Sequence, residues 1–206
     1  MDKTKTFEPD TITLRDLFSG SVYSVPEYQR LYSWTDDQII KLWDDFYEAY
    51  ENSGSVSNYF LGSVITVPTS EGGDTEDIID GQQRITTLTI LFATICEMCK
   101  CFEEFRDKHL GNNNKDIEEI KNLYLKEEDT RLVLQKQENL DVEFSAFIKE
   151  DINKKLCDSE FKKPRTSEIR GSGQKKKYEN ALFLFKERLE NFQGNLKEFV
   201  DFILKK

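Results

Sequence analysis

The chain has 206 residues, 37% hydrophobic and 12% aromatic with fifteen phenylalanines, enough apolar material for a packed core and too much for a disordered segment. Its net charge of −10 sits entirely in residues 1–100, where seven Lys and Arg face seventeen Asp and Glu, so that half lacks the broad basic footprint of a nucleic-acid binder. No apolar run approaches the roughly 20 residues of a membrane-spanning helix, and the N-terminal residues lack the apolar core of a signal peptide, so a cytoplasmic protein is expected.

Residues 11–13 read as a short strand, 14–18 as one or two helical turns closed by Gly20, and 21–25 as extended chain, because Pro26 keeps Val25 out of the helical region. A polar and aromatic loop follows at 27–34. Thr35 with Gln38 three residues on is a capping box, and Ile39, Leu42, Trp43, Phe46, Tyr47 and Tyr50 recur at helical spacing to about Glu51. After a turn-rich stretch at 52–58, residues 59–67 are β-branched and apolar like a buried strand that Pro68 ends. An acidic, glycine-rich loop spans 69–75, and 77–80 resumes as a strand. That strand feeds directly into a long helix marked by Ile85, Leu88, Leu91, Phe92, Ile95 and Cys99.

Beyond Gly111 and the asparagine run at 112–114 the pattern is mostly helical, with 131–134 a short strand candidate and Phe144, Phe147, Ile148 and Ile152 on a further helix. Residues 157–173 are polar, with Pro164, Gly171 and Gly173, and read as a long mobile loop. Amphipathic helices at 174–191 and 196–204 complete the chain. Its end inside a periodic pattern leads us to expect a fragment or a domain cut from something longer.

The four cysteines, Cys96, Cys99, Cys101 and Cys157, are too few for a disulfide framework. A zinc set of the first three with His109 is disfavoured, because helical geometry points Cys101 away from the face of Cys96 and Cys99. His109, flanked by lysine and glycine, reads as a surface residue. A local basic excess runs from Lys149 to Lys177 and includes Lys162, Lys163, Arg165, Lys175, Lys176 and Lys177. Its plain reading is a solvated loop and helix start; its functional reading is a DNA contact.

Two constellations carry chemistry. In the run Asp80, Gly81, Gln82, Gln83, Arg84, a strand turns directly into a helix, whose N-terminal amides and partial positive charge suit an anion. Gly81 would admit a ligand close to the backbone, Arg84 offers a fork for phosphate, Thr86 and Thr87 lie one turn on, and Asp80 could hold Mg²⁺, a water or a ribose hydroxyl. The competing reading is a helix cap with solvated glutamines. In the second, Tyr28, Gln29, Arg30, Tyr32 and Trp34 share a loop that could stack on a base and bond its edges, or could pin itself to the core with its rings.

Together these blocks form a resemblance. Val25, Pro26, Glu27, Tyr28, Gln29 and Arg30 with Tyr32 and Trp34, then Leu42, Trp43, Asp44 and Asp45, then Tyr59, Phe60, Leu61, Gly62 and Ser63, then Ile79 through Arg84 followed by Thr86, Thr87 and Leu88, resemble the GmrSD-type family. The match runs through residues 11–95, and more loosely through Arg131, Leu132, Val133 and Leu134. The resemblance implies an α+β, ParB/sulfiredoxin-like domain, a small mixed sheet with packed helices over residues 1–110. A mainly helical extension at 111–206 would follow, truncated before further C-terminal domains.

It also implies a nucleoside triphosphate bound with Mg²⁺ and hydrolysed, whether GTP, ATP or CTP, in bacterial defence against phage with modified DNA. Asp80, Gln82, Gln83 and Arg84 then carry over as catalytic residues, with Asp80 the metal contact. Gly81, Thr86, Thr87, Tyr28, Gln29 and Arg30 carry over as nucleotide contacts, the last three as a pocket wall or a sensor of DNA modification. Many family members carry a separate HNH nuclease domain, but a single histidine cannot furnish one here, so the nuclease is an absent domain or subunit. No Walker-type phosphate loop occurs either. The alternatives are a non-catalytic module that senses DNA or a partner, and a standalone antitoxin-like or decoy protein.

Overall fold

The computed structural model describes residues 10–52, 60–69, 74–111, 114–135, 139–171 and 173–205. Tyr59 and most of the two turn-rich segments at 52–58 and 69–75 lie outside the described residues. The fold is α+β. Its sheet has four strands in the order β2-β3-β1-β6, where β1 is Val22–Ser24, β2 Ile65–Pro68, β3 Thr75–Asp80 and β6 Leu132–Val133. β1 runs parallel to both β3 and β6, and β2 pairs antiparallel with β3, so the sheet is mixed. A two-stranded ribbon of β4 (Leu125–Lys126) and β5 (Asp129–Thr130) precedes β6.

The molecule is built around helix α3, Gln82–Cys101. Nearly every residue from Gln82 to Cys99 is buried, because the segment is apolar or threonine-rich on all sides rather than along one stripe. Its threonines tolerate this by turning inward. Thr86, Thr87, Thr89 and Thr94 each donate a hydroxyl to the carbonyl four residues back, at 2.6–2.9 Å. Packed on α3 are α5 (Asn114–Tyr124), α7 (Ile152–Leu156) and α9 (Gln174–Glu190), with α4 (Glu103–His109) folded back beside its end. Among the described residues no single helix is long and apolar enough to cross a membrane.

Helix α2, Asp36–Glu51, begins at Thr35 with the expected capping box and packs on α9 and on α10 (Leu196–Leu204). Its rings Trp43, Tyr47 and Tyr50 interlock with Phe192 and Phe199 at centroid distances of 5.3–6.4 Å. His109 sits in the same cluster, 6% exposed, with its ring 4.6 Å from Phe105 and 5.7 Å from Phe192. This corrects the surface position expected of it: α4 turns back on α3, which brings its last turn inside.

Other local expectations also change. Residues 11–13 form no strand; Thr13 instead caps helix α1, Leu14–Ser19, accepting from the Asp16 amide at 3.1 Å. The strand expected from residue 59 pairs only from Ile65, because Gly62 adopts φ +104° and turns the chain out of extended geometry. The expected long loop at 157–173 contains a short helix α8, Thr166–Gly171, and a buried Pro164. Helix α6, Leu140–Ala146, joins α7 through one wide π turn at Phe147–Asp151.

Candidate functional site

β3 ends at Asp80, Gly81 takes φ +96°, and α3 starts at Gln82. The reversal from strand to helix in one residue needs that left-handed conformation, which a side chain disfavours. A Cβ on Gly81 would also stand 3.0 Å from Val64 Cγ2. Val64, which follows the Gly62 block, packs over Gly81 where a close ligand approach was expected.

Gly62 has a matching role. A Cβ there would lie 3.1 Å from three atoms of the Arg84 guanidinium, whose Nη1 donates to Ser63 O at 2.8 Å. So the blocks around Gly62 and Gly81 are spatial complements: each glycine makes room for a side chain of the other block.

The loop from Gln29 to Ser33 has no regular structure, and its backbone carbonyls are taken up by side chains. Gln135 Nε2 donates to Gln29 O at 3.0 Å, Gln82 Nε2 to Arg30 O at 2.6 Å, Gln83 Nε2 to Leu31 O at 3.2 Å, and Lys177 Nζ to Tyr32 O at 3.0 Å. Gln83 Oε1 also accepts from the Ser33 amide at 2.7 Å, and Gln29 Nε2 donates to Ile79 O at 2.8 Å. Four consecutive carbonyls are thus held by side chains from three separate parts of the chain. A loop without its own ladder must find such partners when it packs against a core.

Gln82 and Gln83 are each 7% exposed, so they are buried loop clamps, not the solvated glutamines of a simple cap. Thr86 and Thr87 are buried as well, their hydroxyls spent on the helix backbone. Thr87 additionally bonds the Tyr32 hydroxyl at 2.8 Å. The helical turn beyond Gln82, where nucleotide contacts were expected, thus lies inside the core. Burial drives the Tyr32 hydroxyl well above the usual phenol range, with the Thr87 bond a smaller opposing effect.

The rings of the loop divide. Tyr32 is in the core, Trp34 packs partly against it, and Tyr28 stands 73% exposed. Arg30 and Asp80 are exposed too, without a side-chain partner among the described residues. The start of α3 has no side-chain cap and no acidic residue in its first turn. What faces outward at this junction is thus a carboxylate, a guanidinium and one free ring, beside a helix start that lacks a side-chain cap.

The basic stretch is largely engaged within the protein. Lys163 bonds Asp36, Lys162 pairs with Glu160 at 3.5 Å, Lys175 with Asp151 at 2.6 Å and Lys176 with Glu179 at 2.7 Å, while Lys177 holds the loop carbonyl. Arg165 is exposed, with its side chain unpaired among the described residues. Asp36 also accepts from Asn180 Nδ2 at 2.8 Å. Partial burial pushes its carboxyl up, and the bonds from Lys163 and Asn180 more than offset this, leaving it below the usual carboxylate range. Asp36 is therefore engaged in packing and leaves Asp80 as the open carboxylate beside the helix.

Among the described residues, no three His, Cys, Asp or Glu side chains converge as a metal cage. A lone carboxylate still suits Mg²⁺, which keeps most of its oxygens from water and phosphate. The exposed Arg30, which Gln82 ties to the start of α3 through its carbonyl, and Asp80 at the end of β3 fit a metal-bound triphosphate by donor type. A hollow elsewhere, between α1, α5 and α10, is crossed by its own ion pairs, Lys197 to Asp116 at 2.9 Å and Arg15 to Asp201 at 3.3 Å.

The sequence signal for the clamp was the pair Gln82 and Gln83 next to a turn, but Gln135 and Lys177 carried none, being far off in the chain. No curated protein matches the sequence. The family model described as GmrSD restriction endonuclease, N-terminal domain, matches residues 14–206. That span takes in the sheet, α3, the clamped loop and every helix of the second half. The chain belongs to this family of restriction-protein domains, whose role is phage defence.

Proposed function

We propose that the chain is a nucleotide-binding, NTP-hydrolysing regulatory module of a modification-dependent restriction protein, with a ParB-like relationship. A nuclease on another domain or subunit does the cutting. The observation that carries this reading is the clamped loop. Side chains from α3, α9 and the segment after β6 hold the backbone of residues 29–33 rigidly, while Tyr28, Arg30 and Asp80 are left exposed around an uncapped helix N-terminus.

In this reading Arg30 and Arg84 bind phosphate oxygens and Tyr28 stacks on the base. Gln82 and Gln83 are positioning residues that place Arg30 through its own carbonyl and through Leu31 and Ser33. Asp80 holds Mg²⁺, which when bound neutralises phosphate charge and orients water for attack. Modified DNA remains a partner of the whole effector. Within this chain Arg165 and the exposed face of Tyr28 are its candidate contacts, since Lys162, Lys163, Lys175, Lys176 and Lys177 already have internal partners.

The test is equilibrium binding of fluorescent GTP, ATP and CTP to the full chain with Mg²⁺, together with phosphate release. Wild type binds at least one of them, and Arg30→Ala weakens it by roughly tenfold or more, as expected for loss of a charge-assisted contact, with an unchanged thermal midpoint. Absence of binding and of turnover with all three would refute the reading.

A further inference from the structure

One pair of side chains plays no part in the loop clamp. Cys101, the last residue of α3, and Cys157, which caps the C-terminus of α7, come from points 56 residues apart, yet their Sγ atoms lie 2.9 Å from each other. Cys157 is exposed and Cys101 half-buried, whereas Cys96 and Cys99 are sealed inside α3. The pair is also held in place. Asn153, one turn before Cys157, donates its amide to Cys101 Sγ at 3.2 Å and to Glu97 Oε2 at 2.9 Å, tying the two helix ends together.

We propose that Cys101 and Cys157 form a redox modification site, an oxidant-accessible dithiol that closes to a disulfide bridging the end of α3 and the end of α7. The co-reactant is hydrogen peroxide. The exposed Cys157 sulfur attacks one peroxide oxygen, the O–O bond breaks, and Cys157 becomes a sulfenic acid as the first water leaves. Cys101 sulfur then attacks the Cys157 sulfur, the S–O bond breaks, the S–S bond forms, and the hydroxyl departs as a second water with the Cys101 proton. Two electrons pass from the two thiols to the peroxide.

Two features favour this order. Cys157 is reached first because it is the more exposed of the pair. Burial, and then the neighbouring Cys157 thiol, push the Cys101 thiol up to about 12, so it is held protonated. Cys101 Sγ, 2.9 Å from Cys157 Sγ, is in place to resolve the sulfenic acid. The bridge would fasten the core helix that bears Gln82, Gln83 and Arg84 to the helical second half.

The test is to reduce the full chain, remove the reductant, and titrate it with hydrogen peroxide. Intact mass should fall by two hydrogens, and a non-reducing digest should contain the Cys101 peptide joined to the Cys157 peptide. The thermal midpoint should rise and return to its reduced value with dithiothreitol. Cys157→Ser and Cys101→Ser should each abolish the mass loss and the midpoint shift. Added oxygens on Cys157 with Cys101 still open to alkylation, or a Cys157-linked dimer of two chains, would overturn the proposal. Neither readout involves nucleotide, so the outcome is separable from that of the proposed function.

Discussion

Gln83 illustrates how one side chain serves two backbone segments. Its amide group accepts from Ser33 N and donates to Leu31 O, at a site 7% exposed. Truncation removes both bonds and leaves two backbone groups of a packed loop without partners. We expect Gln83→Ala to lower the unfolding free energy by about 1–3 kcal/mol, the cost of a buried group left unpaired. Urea denaturation measures it, and a loss within error of zero would show that the loop is not held by this residue. Gly81 is constrained differently: φ +96° and Val64 above it both require the residue type.

At the scale of elements, α4 and the start of α2 each couple a titrating group to packing. Burial, then the charge of Lys108, lower the affinity of His109 for a proton, while a bond involving the Gly194 backbone acts the other way. The unfolded chain therefore takes up the proton first as pH falls below about 6.5, and stability is lost across that range while none is lost above it. Asp36, with its lowered carboxyl, contributes stability at neutral pH that is lost only as pH falls below about 4. Its share is small because the Asp36–Lys163 pair is more than one-third exposed to screening solvent. Urea midpoints at pH 7.5 and 5.5 should differ in wild type and converge in His109→Gln. Equal midpoints in wild type would show that His109 is not buried in its neutral form.

For the whole molecule, the sheet and the core helix draw on both halves of the chain. β6 supplies an edge strand beside β1, α5, α7 and α9 cover α3, and Gln135 and Lys177 hold the clamped loop from beyond residue 130. Residues 1–110 alone would leave the buried faces of α3 in water. We expect that fragment to lack cooperative unfolding and dispersed amide resonances, because the apolar area it must hide has lost its cover. A fragment that unfolds cooperatively with a native-like spectrum would show that the first half carries its own core.

Several features were legible from local pattern alone: the capping box at Thr35, the ends of α10, the parallel of strand, turn and helix at 80–82, and the four family blocks. Capping, helical period and turn chemistry act between residues three or four apart, so they survive in a linear reading. Tertiary structure decided which side of each motif faces water. It turned Gln82, Gln83, Thr86 and Thr87 inward and left Asp80, Arg30 and Tyr28 outward. It also buried His109, drew most of the lysines into internal pairs, and set Cys101 beside Cys157. The reason is common to all of these. A side chain's fate depends on what distant chain packs over it, and no spacing along α3 reveals that a lysine at 177 and a glutamine at 135 will meet the loop that the α3 glutamines hold.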